Sequence, residues 1–171
     1  MHLLLSRKLS LGLALLVLLA VVGATACSAD TQPKVGQAAP SIAVTGLDGG
    51  AVQLADLKGK VVMLNFWASY CAPCKEEMPA MEKVYQAVEA KGAVILGVNM
   101  GEDPAKVAAF VKDLGLTFPI ALDSKGTAAT TYGVDAIPAS YFIDKEGIVR
   151  YVRIGQLDQK TIDQYLASLL Q

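Results

Sequence analysis

The feature that most restricts the fold is a pair of apolar runs with a helical stretch between them. Val61–Trp67 is apolar throughout except for Asn65, and Ala93–Met100 is a second run of the same kind. Apolar runs without alternation suit strands covered on both faces, the situation of a parallel strand inside a layered α/β sheet. Between them Met78, Met81, Val84, Tyr85 and Val88 recur at helical spacing. This predicts a helix beginning at Pro73 and stopped by Gly92, with Pro79 as an internal kink. Strand, helix and strand in that order form a parallel crossover.

The flanking segments extend this unit. Ile42–Val44 and Ala51–Leu54 enclose Asp48-Gly49-Gly50 and predict a hairpin. Asp103-Pro104 predicts a helix start, Val107, Phe110, Val111 and Leu114 its apolar face, and Gly115 its end. Phe118–Leu122 reads as a short strand and Thr127–Tyr132 as a brief helix. Ala139–Ile143 and Ile148–Ile154 bracket Lys145-Glu146-Gly147 as a closing hairpin. Ile162, Tyr165, Leu166 and Leu169 mark a C-terminal helix. The expected class is α/β, a mixed central sheet flanked by helices, over residues 40–171. A length of 171 residues suits one such domain plus an appendage.

The appendage is N-terminal. Arg7 and Lys8 precede the apolar run Leu9–Val22, and Ala24-Thr25-Ala26 leads into Cys27. A basic start, a short apolar run and small residues before a cut describe a secretory signal over residues 1–26. An uncleaved membrane anchor is the competing reading. Small residues running into a cysteine resemble a bacterial lipoprotein signal, which implies that Cys27 carries lipid. An ordinary cut after Ala26 is the alternative, and Ala24 stands where lipoprotein signals usually have leucine. Residues 27–39, small and polar with Pro33, read as a tether. The domain is then expected outside the cytoplasm, where disulfides persist.

Composition removes several classes of function. Lys plus Arg number 15 against 16 Asp plus Glu, and losing Arg7 and Lys8 with the signal moves the formal net charge from −1 to −3. No basic surplus is present for a nucleic-acid partner. The single histidine is His2, inside the signal. The remaining chain therefore has no histidine for a Ser-His-Asp or Cys-His centre or for a metal site.

The chemistry left is that of Cys71-Ala72-Pro73-Cys74, at the junction of a buried strand and a helix. A helix N-terminus presents unpaired N–H groups and the positive end of its dipole, which favour a thiolate over a thiol. Two intervening residues let the sulfurs join with little motion. Four readings compete: a zinc site, a structural disulfide, a peroxidatic cysteine and dithiol–disulfide exchange. Zinc needs about four ligands, which this chain does not supply. A structural disulfide here closes too short a loop to stabilise much. Peroxiredoxins, similar in fold, carry proline seven residues and threonine or serine three residues before their cysteine, where this chain has Leu64 and Ala68. Exchange is the reading retained.

Phe66-Trp67-Ala68-Ser69-Tyr70-Cys71-Ala72-Pro73-Cys74-Lys75 resembles a thioredoxin-superfamily active site, with Pro79 as its helix proline and Ile137-Pro138 as its cis-proline loop. The chain is similar to the TlpA/ResA-like branch from about Val35 to Gln171. It shares that branch's N-terminal hairpin, its helix–strand insertion at Gly101–Leu122, Asn65 in place of a buried aspartate, and Glu77 three residues past Cys74.

The resemblance implies a thioredoxin-like fold and a thiol–disulfide oxidoreductase without a cofactor, expected as a monomer. It implies that Cys71 attacks, that Cys74 resolves, and that Glu77 adjusts the dithiol and exchanges its protons. Trp67, Tyr70, Pro73, Ile137 and Pro138 are the expected substrate-side residues, with ordinary packing an equal reading for Trp67 and Tyr70. Implied partners are a protein disulfide such as that of apocytochrome c and a membrane thiol carrier of the CcdA/DsbD type. Competing functions are a copper(I) metallochaperone, a peroxiredoxin-like peroxidase and an oxidase that inserts disulfides.

Overall fold

The computed structural model describes residues 32–171. The signal expected over residues 1–26 and the lipidation candidate Cys27 lie outside these residues. Seven strands form one sheet: β1 (Ala43–Gly46), β2 (Ala51–Gln53), β3 (Val61–Trp67), β4 (Ala93–Asn99), β5 (Ile120–Leu122), β6 (Ala139–Ile143) and β7 (Val149–Ile154). Their order across the sheet is β2-β1-β5-β4-β3-β6-β7. β3 pairs with β4 and β4 with β5 in parallel, and the remaining neighbours are antiparallel. The predicted mixed α/β architecture is present.

Both faces of β3 are covered, which is why its sequence does not alternate. Val61, Met63 and Trp67 enter the core beside helix α1 (Ala72–Val88), while Val62, Leu64 and Phe66 enter the core of the opposite face. Asn65 shares the register of the first set and is the polar exception. α1 runs on through Pro79, and one 3₁₀ turn over Glu89–Lys91 leads to Gly92 in the left-handed region, φ 90°. Helix α2 (Pro104–Asp113) starts where Asp103 accepts hydrogen bonds from the N–H groups of Ala105 and Lys106. α3 (Thr127–Thr131) and α4 (Gln159–Leu170) complete the molecule.

Two expectations shift. The strand read over Phe118–Leu122 begins only at Ile120, because Phe118 turns into the core against α1, edge-on to Tyr85. The stretch assigned to a tether also reaches the domain before residue 40. Gly36 donates to the Val149 carbonyl at 2.8 Å, Val149 donates to Gln37 at 2.9 Å, and Ala38 bridges to Ile148. Small polar residues look like a linker by composition, but here their backbone pairs with Val149 at the start of β7 and with the turn before it.

Candidate active site

β3 ends at Trp67 and α1 begins at Ala72, so the turn between them sits at the C-terminal end of a central parallel strand. Cys71 is the N-cap of α1. Its Sγ accepts a hydrogen bond from the Cys74 N–H at 3.2 Å, and the two sulfurs are joined at 2.03 Å. A free N–H of the first helical turn is thus aimed at the sulfur, where it favours the anionic form once the pair is reduced. Cys71 is 8% exposed and Cys74 is fully buried. Access to the pair is therefore through Cys71.

Ile137 and Pro138 approach from β6 through a cis peptide bond. The Ile137 carbonyl oxygen lies 3.8 Å from Cys71 Sγ. The Pro138 carbonyl accepts from the Gly155 N–H at 2.8 Å, so the group that this loop turns toward the sulfur is the Ile137 carbonyl. Pro73 is exposed on the first turn of α1, and Tyr70 is 71% exposed immediately before Cys71. Ile154, paired with Ala139, adds an exposed apolar side chain at the same end of the sheet.

Glu77 does not lie on a solvated helix face. It is 1% exposed, with Oε1 accepting from Asn65 Nδ2 at 2.8 Å and Oε2 from the Leu157 N–H at 2.9 Å. Asn65 Nδ2 also donates to Ser140 Oγ at 3.0 Å, and Asn65 Oδ1 is buried without a partner. Burial pushes the Glu77 carboxyl up from 4.5 to about 7, against the lowering effect of the Leu157 and Asn65 donors. One helical turn beyond its dithiol the site thus has a buried carboxyl whose hold on a proton is strengthened by desolvation.

Of the two readings of Trp67, substrate surface and packing, the structure corrects the first: the side chain is fully buried, stacked on Phe110 of α2 at 5.2 Å. The space it fills exists because residue 97 is glycine: a Cβ there would come within 3.0 Å of Trp67 Nε1 and 2.9 Å of Ile120 Cδ1. Trp67 supports the turn from below. Met78 and Met81 are core residues, as read from their spacing.

The structure also brings in residues that the sequence reading left out. Glu102, just before α2, accepts from the Ser69 N–H and Ser69 Oγ, each at 2.6 Å, and from Asn99 Nδ2 at 2.7 Å. Lys106 Nζ pairs with it at 2.7 Å. Burial alone would raise this carboxyl, but donors from Lys106, Ser69 and Asn99 outweigh it and hold the group at about 2. Nothing in the linear sequence links Ser69 to a glutamate 33 residues away. The only local signal is the position of Glu102 beside the Asp103-Pro104 helix start.

Comparison with known proteins agrees with this chemistry. The family model described as AhpC/TSA matches residues 35–152. The thiol-disulfide oxidoreductase ResA of Geobacillus thermodenitrificans is 38% identical over 159 residues, covering 91% of each chain. A solved thiol:disulfide interchange protein of the thioredoxin family from Chlorobium tepidum superposes with a TM-score of 0.74 at 26% identity. That match covers 81% of this chain and 99% of the other. A secreted thiol-disulfide isomerase from Corynebacterium glutamicum superposes with a TM-score of 0.72 at 26% identity, over 77% and 84% of the two chains. With a joined Cys-x-x-Cys pair at the head of α1, a cis-proline loop against it and these relatives, the chain belongs to the ResA-like thiol–disulfide oxidoreductases of the AhpC/TSA family.

Proposed function

We propose that this oxidoreductase acts as a reductant of protein disulfides outside the cytoplasm. The observation that carries the direction is the buried Glu77 one turn beyond Cys74. When ionised it opposes a thiolate at the dithiol, and Ala72 and Pro73 add no charge to offset it. A thiolate that is not strongly stabilised makes the disulfide a weak oxidant and the dithiol a good reductant.

The Cys71 thiolate attacks one sulfur of the substrate disulfide. That bond breaks, a Cys71–substrate disulfide forms, and the first substrate sulfur leaves and takes up a proton. Cys74 then gives its proton to the Glu77 carboxylate and attacks Cys71. The Cys71–Cys74 bond forms, and the second substrate sulfur leaves as a thiolate and is protonated. Two electrons pass to the substrate; its two protons come from solvent, which takes up the Cys71 proton at the start and the Cys74 proton when Glu77 ionises again. Tyr70 and Pro73, exposed beside Cys71, and the half-buried Ile137 frame the approach of an extended segment, with the buried Pro138 shaping the loop behind them.

The haem-attachment Cys-x-x-Cys of an apocytochrome c is the substrate proposed, and a membrane thiol carrier of the CcdA/DsbD type is the proposed electron source. The signal pattern of residues 1–26 and the secreted relative support the location. The lipid on Cys27 and the monomeric state belong to the same proposal.

Trapping tests it. A Cys74→Ala protein is expected to retain an apocytochrome c segment as a mixed disulfide on Cys71, identified by mass spectrometry from envelope extracts. Retention of unrelated proteins in similar yield would remove the substrate assignment. A glutathione titration measures the direction, and a potential in the range of strong oxidants would reverse it. Turnover of hydrogen peroxide, or copper(I) binding that outcompetes disulfide exchange, would favour the peroxidase or the metallochaperone.

A further inference from the structure

We propose that Glu102 is a positioning residue for disulfide exchange: its carboxylate holds the Ser69–Cys71 turn and so sets the Cys71 sulfur against the first N–H groups of α1. The inference rests on the assignment of Cys71 as the attacking sulfur.

The turn is short and carries the nucleophile, with the Cys71 N–H donating to the Ala68 carbonyl at 3.2 Å. Its first residue, Ser69, places both of its donors on Glu102. The carboxylate is itself held fast. Asn99 Nδ2 donates to it, the Glu102 N–H donates back to Asn99 Oδ1 at 3.2 Å, and the Glu102 side chain is only 6% exposed. Asn99 ends β4 beside Trp67 in the parallel ladder, so the clamp is anchored on the central strands. Lys106, on the first turns of α2, pairs with Glu102 and lies 5.9 Å from the centre of the exposed Tyr70 ring. Charge-assisted bonds at a buried carboxylate are strong and directional, unlike a surface pair. The segment from Gly101 to α2 is thereby joined to the nucleophile's turn.

The molecule contains an internal control. Glu82 holds Thr117 in the same way, through the backbone N–H at 2.7 Å and the hydroxyl at 2.6 Å. That clamp lies about 12 Å further along α1 from Cys74 and touches no part of the dithiol turn. A purely architectural role would make the two clamps equivalent.

The test uses the reduced full chain and follows alkylation of Cys71 by iodoacetamide against pH, read by mass spectrometry of the Cys71 peptide. Ser69→Ala is expected to move the midpoint upward and slow the reaction at pH 7 about three-fold, and Glu102→Gln about ten-fold, one pH unit. Ser69→Thr keeps both donors and restores the rate. Thr117→Ala lowers Tm to a similar extent as Ser69→Ala and leaves the profile in place.

The proposal is overturned if Ser69→Ala and Glu102→Gln lower Tm without moving the profile. It is also overturned if Glu102→Gln accelerates alkylation while Ser69→Ala does nothing, since the carboxylate would then act by charge alone. The Ser69 pair decides the matter should Glu102→Gln fail to fold. Disulfide exchange persisting in Cys71→Ser would instead sink the assignment of the attacking sulfur.

Discussion

Glu77 and Glu102 flank the same redox pair, both are withdrawn from solvent, and they titrate at opposite ends of the carboxylate range. Glu77 has two donors, a side-chain amide and a backbone N–H, and burial prevails. Glu102 has three neutral donors and an ammonium group, and these prevail over burial. Loss of solvent alone therefore does not decide how a carboxylate behaves. The number and charge of the donors that replace water do, and they separate a group that can move a proton from one that stays an anion and holds structure.

The comparison can be broken most forcefully at Glu102. Glu102→Ala leaves the Ser69 N–H and Asn99 amide without an acceptor and is expected to cost about 3 kcal/mol in urea unfolding at pH 7. A loss under about 1 kcal/mol, the level of an exposed pair, would show that the clamp is not a strong one.

Next comes the pH dependence at Glu77. Its folded value of about 7 lies above the ordinary 4.5, so the folded chain holds the extra proton between those limits. Stability from this group falls as pH rises through that window, by roughly 2 kcal/mol between pH 5 and 8. Glu102 has the opposite sign: its contribution is full above 4.5 and is lost as pH falls toward about 2. Glu77→Gln should flatten the stability profile between pH 5 and 8, measured by denaturant midpoints. An unaltered slope would show that Glu77 does not titrate there.

Asn65 sharpens the contrast at a smaller scale. Removing its amide with Asn65→Ala takes away one of the two donors that hold Glu77 down. The carboxyl titration, followed by isotope-edited infrared spectroscopy, should rise by about half a unit to one unit. A fall would mean that Asn65 does not donate to the carboxylate.

The smallest effect is expected at Lys106, whose side chain is 57% exposed. Lys106→Met should cost about 0.5 kcal/mol and lose even that at 1 M salt. A larger, salt-independent loss would make the ammonium group a principal element of the clamp.

What could be read from the chain divides along physical lines. β3 and β6 were bounded by their mainly apolar runs because a strand covered on both faces buries nearly every side chain, the polar exceptions Asn65 and Ser140 bonding to each other. The α2 start was legible because Asp103-Pro104 acts through bonds to its own next residues. Trp67 was left between substrate surface and packing for the complementary reason. Its neighbour Phe110 and the gap left by Gly97 are distant in sequence, and a tryptophan near a reactive pair looks the same whether it faces in or out. The segment 36–39 resembled a linker because composition does not reveal distant backbone partners such as those at Gly147–Val149.

From the residue order alone follow a layered α/β domain and a reactive sulfur pair where a strand becomes a helix. Both rest on periodicity, local capping or short spacing. Packing alone decided that Glu77 is buried on Asn65 and Leu157, that Glu102 clamps Ser69, and that Trp67 lies beneath the turn. Each of these depends on groups tens of residues apart meeting at a fixed distance. A carboxylate's proton affinity is set by that enclosure, not by its neighbours in the chain.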